Sequence, residues 1–127
     1  MGFVGGENRR KIGAIHEQEA AHFLEERGYV LLESNFRCRQ GEIDLIARDG
    51  DFLVFVEVRY RADRRRGHPL ETVDRRKQNT ICRVSDVYRY QRGIPEGQAV
   101  RFDVIGVLGK EITLVQNAFP YTGRAGF

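Results

Sequence analysis

GEIDLIARDGDFLVFVEVRYR, residues 41–61, decides how this chain folds. Two apolar-rich runs flank Asp49-Gly50, a dipeptide suited to two-residue hairpin turns because it accepts positive φ. Over 42–48, Ile43, Leu45 and Ala47 alternate with Glu42, Asp44 and Ile46, which predicts a strand with one set on each face. Over 52–60, Phe52, Val54, Val56 and Val58 share one face of a second strand, and Leu53, Phe55, Glu57 and Arg59 share the other. With Asp49-Gly50 as the turn, Arg48 pairs with Asp51, Asp44 falls opposite Phe55, and Glu42 falls opposite Glu57. Asp44, Glu57 and Arg59 then share a face, with Asp44 and Glu57 diagonal neighbours roughly 7–8 Å apart at Cα. A three-residue loop would send Asp44 to the opposite face, so convergence of the carboxylates requires an even-length turn.

Two carboxylates on one rigid hairpin suit phosphodiester hydrolysis. That reaction must activate a water and offset charge on a phosphate, and Mg²⁺ or Mn²⁺ held by oxygen ligands does both. Asp44 and Glu57 are the expected metal ligands, and Arg59, two residues on, would face the same phosphate. The plainer alternative is a solvated strand face. Against it, Leu53 and Phe55 share the face of Glu57, and carboxylates among apolar residues need partners.

Outward from the hairpin, residues 12–27 predict a helix ending at Gly28, with Glu17 on the border of its buried stripe. Residues 29–35 predict a short strand. Residues 70–91 predict a second helix, with Val73, Lys77, Ile81, Val84 and Tyr88 in its core stripe. Strands over 100–108 and 111–117 flank the turn Gly109-Lys110. The order α-β-β-β-α-β-β predicts an α/β fold, a mixed central β-sheet flanked by α-helices. The 127 residues suit one domain, expected over 12–119, with a flexible basic arm over 1–11 and a tail over 120–127. No apolar run is long enough to span a bilayer and no secretory h-region opens the chain, so no membrane partner and a cytoplasmic location are expected. Cys38 and Cys82 lie far apart without a zinc-ligand pattern and read as reduced thiols.

The basic residues are concentrated. From Arg59 to Lys77 there are eight against three acids, a local excess of five in a chain whose net charge is +3. Arg61, Arg64, Arg65 and Arg66 follow directly on the strand of Glu57, and arginine forks suit phosphate oxygens. The alternative is a solvated basic loop. Lys77 either snorkels to solvent or approaches the carboxylates. Asp103, between Phe102 and Val104, reads as structural, paired with an arginine. Tyr60 reads as a packing residue, and no aromatic stacking platform is evident.

These segments resemble the YraN-like family of uncharacterised bacterial proteins. The resemblance runs from about residue 12 to 119 and is carried by GAIHEQEAAHFL (13–24), Gly28-Tyr29, Asn35, GEIDLIA (41–47), LVFVEVRYR (53–61), Lys77 and RFDV (101–104). The family is similar to archaeal Holliday-junction resolvases and PD-(D/E)XK nucleases, which implies a restriction-endonuclease-like sheet with its active site at a bent hairpin. Position by position, the helix glutamate falls on Glu17, the motif aspartate on Asp44 and the E-x-K glutamate on Glu57. Arg59 stands at the lysine position, and arginine stays protonated and cannot act as a general base. His16 departs from the family's glycine before the helix glutamate and reads as a surface histidine.

The expected function is a Mg²⁺- or Mn²⁺-dependent endonuclease acting on DNA, with branched DNA and a homodimer suggested by analogy with the resolvases. Glu17, Asp44, Glu57 and Arg59 form the expected catalytic group; Arg61, Arg64, Arg65, Arg66 and Lys77 the expected nucleic-acid contacts. The alternative is an inactive nucleic-acid-binding or protein-adaptor module on the same fold, with cleavage lost through Arg59.

Overall fold

A computed structural model describes residues 5–123, with side chains from residue 11 onward. Helix α1 (Gly5–Glu26) is followed by β1 (Val30–Cys38), β2 (Gly41–Asp49), β3 (Phe52–Arg61), helix α2 (Arg75–Gln91), β4 (Val100–Leu108) and β5 (Glu111–Val115). The strands form one five-stranded sheet in the order β1-β2-β3-β4-β5. Only β3 and β4 run parallel, as they must when joined by a helical crossover. This is the mixed α/β architecture expected, and it is compatible with a restriction-endonuclease-like fold.

The two helices pack on opposite faces of the sheet. Ala20 and Leu24 of α1 bury against Leu45, Val54, Val56 and Ile105. Ile81 and Val84 of α2 bury against Ile46, Phe55 and Phe102. Covered on both sides, β3 is buried without interruption from Leu53 to Val56, so its apolar run shows no polar alternation.

Three expectations are corrected. The first helix begins at Gly5, so part of the arm expected over 1–11 is helical, and Met1 to Val4 lie outside the described residues. The second helix begins at Arg75, not 70. Asp74 sits in extended backbone and accepts from the Lys77 N–H as its cap, while Pro69–Thr72 forms a separate short 3₁₀ turn capped by His68. The hairpin turn is Gly50-Asp51, between the pair Asp49↔Phe52. Gly50 has φ 59 and Asp51 keeps a negative φ, the pattern of a type II′ turn, which asks for glycine at its first central position. An Asp49-Gly50 turn of type I′ would have forced a left-handed aspartate. Ile46, not Asp44, therefore lies opposite Phe55. The shift is even, so the faces survive.

The predicted face assignment of β2 fails at one point. Ile43 packs on the α2 side with Ile46, while Leu45 and Ala47 pack on the α1 side. Residues two apart normally share a face, so β2 turns over at Asp44. The partner strand bends at the same level: Asn35 adopts φ 54, a left-handed conformation that asparagine tolerates better than most residues.

Candidate active site

The β2–β3 ladder ends at Leu45↔Val56, whereas β3 stays paired to β4 as far as Arg61↔Leu108. Beyond Val56 the sheet opens between β2 and β3. Asp44 and Glu57 face each other across the gap, and the Val58 N–H, which a continued strand would have met, donates to Asp44 Oδ2 at 2.8 Å. The kink thus turns an aspartate inward to cap the edge of β3.

Glu57 is 5% exposed. Its Oε2 lies 3.0 Å from Arg59 Nε and 3.6 Å from Lys77 Nζ. Burial, reinforced by the Asp44 carboxylate, pushes the Glu57 carboxyl up to about 8, against the pull of Lys77 and Arg59. Burial also raises Asp44, opposed by the Val58 N–H and by a hydrogen bond from Glu57. The Glu57 carboxyl therefore keeps its proton into the neutral range. Glu17 reaches in from α1: burial and then Asp44 raise it, while a hydrogen bond with the Asn35 side chain lowers it. Glu42 stands at the rim, held by Arg37 Nε at 3.0 Å.

The sequence expectation that Asp44, Glu57 and Arg59 converge is met in position, and Lys77 joins them from α2. Arg64–Arg66 stand apart from the carboxylates, exposed in a 3₁₀ turn after β3 capped by Asp63. Arg59 Nε and Arg61 Nε are both buried without an aligned acceptor, the first despite its short distance to Glu57. A cavity of about 470 Å³ lined by Gln40, Asn79, Arg83 and Asp86 lies on another face of α2 and takes in neither Asp44 nor Glu57. Sequence reading missed three participants: Glu42, Asn35 and a stacked pair of rings, His16 on Tyr60. His16 is thus not a free surface histidine.

A divalent cation suits this donor set. Among the described residues no three His, Cys, Asp or Glu side chains make a closed cage. Mg²⁺ commonly takes one or two carboxylates and completes its shell with water and substrate phosphate. Asp44 and Glu57, two hard oxygen donors facing each other across the cleft, would fit that arrangement once the Glu57 proton leaves.

The raised Glu57 carboxyl has a consequence for stability in chelator. The unfolded chain releases this proton near the ordinary 4.5, the folded chain near 8. Between those values the folded state holds the extra proton, so stability falls as pH rises from about 4.5 to about 8, by a few kcal/mol. Glu57→Gln should flatten this window and be more stable than the parent above pH about 8. Melting temperatures across the range check it; parallel curves for the two proteins would contradict the raised Glu57 carboxyl.

Among the described residues no helix is long and apolar enough to cross a membrane. The model of the uncharacterised protein family UPF0102 matches residues 16–107. A UPF0102 protein of Lachnoclostridium phytofermentans is 43% identical over 116 residues, covering 91% of this chain and 98% of its own. One from Chromohalobacter salexigens is 47% identical over 100 residues, covering 79% and 80%. One from Acetivibrio thermocellus is 43% identical over 122 residues, covering 88% and 93%.

Proposed function

We propose that this chain, which belongs to the UPF0102 family of uncharacterised proteins, is a divalent-metal-dependent nuclease with DNA as its substrate class. The observation that carries the reading is the pair of half-buried Asp44 and buried Glu57, set at the break in the sheet with two cations beside Glu57. A buried carboxyl held up by burial and by a neighbouring carboxylate is an arrangement that a cation site uses and that stability alone does not favour.

Asp44 and Glu57 would hold the metal, and Glu17 would complete the shell, directly or through water. When bound, Mg²⁺ or Mn²⁺ supplies positive charge at the scissile phosphate and makes water a better nucleophile. Arg59 cannot act as a base, but its guanidinium steadies phosphate oxygens. Lys77 places an amine with three donors at the same carboxylate, so the site has a lysine even though the strand position holds arginine. This convergence favours cleavage over the inactive-module reading. The β3 end and the 3₁₀ turn after it, Arg61 and Arg64–Arg66, lie along the backbone and position it.

The test is incubation of the purified chain with labelled four-way junction, duplex and single-stranded DNA, with Mn²⁺ or chelator. Metal-dependent cutting supports the nuclease. Tight, salt-sensitive binding with no cutting would move the reading to an accessory binding module.

The arginine patch carries its own expectation. Replacing Arg64, Arg65 and Arg66 by Ala should make the slope of log affinity against log salt shallower by about 2 to 3 units, since each phosphate contact contributes ~0.9. An unchanged slope would remove these arginines from the interface.

A further inference from the structure

His16 and Tyr60 are far apart in sequence, yet their rings stack with centroids 3.7 Å apart and planes 17° from parallel. Glu19 Oε1 fixes the imidazole at 2.6 Å from Nδ1. Neither ring belongs to either core cluster. His16 precedes Glu17 and Tyr60 follows Arg59, so the stack ties α1 to the end of β3 one residue along the chain from two of the site's side chains. The His16 side chain is 14% exposed and Tyr60 is 36% exposed. One ring backs the other and leaves aromatic surface of Tyr60 open to solvent.

Alternation along β3 puts Tyr60 on one face of the sheet and Arg59 and Arg61 on the other. Both arginines carry a buried Nε–H without an aligned acceptor. The β2 side of β3 is unpaired at this level. The strand end therefore offers donors for anions on one side of an open edge and a stacking surface on the other.

We propose that the Tyr60–His16 pair is a stacking site for an unpaired nucleobase whose flanking phosphates Arg59 and Arg61 hold. The inference rests on the nuclease reading and narrows its substrate. A nucleotide crossing the open edge of β3 lays its base on Tyr60 and its phosphates on Arg59 and Arg61. A base within a continuous duplex is stacked on its neighbours and has no free face to give. The substrate then carries an unpaired nucleotide at the cleavage point, as a flap, a gap or the opened centre of a branch does.

The experiment is fluorescence anisotropy of the full chain in chelator with three probes: a short single strand, an abasic strand of the same length, and the matching duplex. Tyr60→Leu should weaken binding of the base-bearing strand about tenfold, with the abasic strand, the duplex and the salt slope unchanged. Tyr60→Trp should bind the base-bearing strand at least as tightly as the parent, because the larger ring preserves the stack. Equal weakening of all three probes by Tyr60→Leu would make the ring a structural tie between α1 and β3 and overturn the proposal. So would unchanged single-strand affinity in Tyr60→Leu alongside a loss in the triple arginine variant, which would leave the nucleic-acid reading standing. If the parent binds none of the three probes, both readings fall together.

Discussion

Glu57→Gln is expected to lower metal-dependent cleavage about a thousandfold, since losing one of two metal-holding carboxylates forfeits several kcal/mol of transition-state stabilisation. The substitution is nearly isosteric, and the position is buried, so shape is conserved. What changes is the capacity to give up a proton to a metal, and anchoring. Arg59 and Lys77 both address Glu57 Oε2, and a neutral amide releases both cations from a fixed geometry. Affinity for DNA in chelator behaves differently. Below pH about 8 the pair already carries one proton, so the site presents a single negative charge in the parent and in the variant. Binding should therefore be unchanged near neutrality and tighter in Glu57→Gln only above pH about 8, where the parent gains its second charge. Parallel cleavage and anisotropy measurements at pH 7 and pH 9 separate the two effects. Persistent cleavage in the variant would remove Glu57 from the chemistry.

Much of this arrangement was legible before the structure, and the failures have physical causes. The alternation over 41–61 located the hairpin and put Asp44 on the face of Glu57 by parity, a property that survives any even shift of register. The turn itself was misplaced because Asp-Gly and Gly-Asp both satisfy a two-residue loop, and only the backbone conformation at Gly50 separates them. The turnover of β2 was illegible: Ile43, Leu45 and Ala47 alternate like a straight strand. The bend comes from a left-handed residue on the neighbouring strand and from the capture of a third strand's N–H by Asp44. Both are tertiary events with no local signal. Lys77 was correctly placed on the buried stripe of the second helix, but periodicity fixes a face and not the level along the sheet. Its level is set by the Asp74 cap, which starts α2 beside the gap. The His16–Tyr60 stack joins segments whose sequences share no pattern, and nothing in either one pointed to the other.

Asp103→Ala is expected to destabilise the domain by about 3–5 kcal/mol, the cost of leaving a buried charge without its partner. Asp103 is fully buried and its two oxygens are both used. Oδ1 accepts from Arg101 Nε and the Asn117 N–H, and Oδ2 accepts from the Tyr29 hydroxyl and a second Arg101 nitrogen. Arg101 also reaches Asp49 Oδ2 at 2.7 Å, so one cluster ties β4 to the end of β2, to the residue before β1 and to the segment just after β5. Removing the carboxylate leaves the Tyr29 O–H and the Asn117 N–H without an acceptor, and leaves Arg101 with Asp49 and the Tyr29 oxygen. The loss is a large share of the ~5–15 kcal/mol that holds a domain of this size. Urea denaturation measures it; a loss under 1 kcal/mol would mean that water replaces the carboxylate. The same residue types meet at Glu57 with the opposite outcome. Around Asp103 the partners are aligned and satisfied, whereas Glu57 keeps a proton into the neutral range and Arg59 Nε has no aligned acceptor. Asp103→Ala should accordingly reduce cleavage only in proportion to the folded fraction, and full folding at low temperature should restore it. Glu57→Gln should leave folding intact and cleavage lost at every temperature.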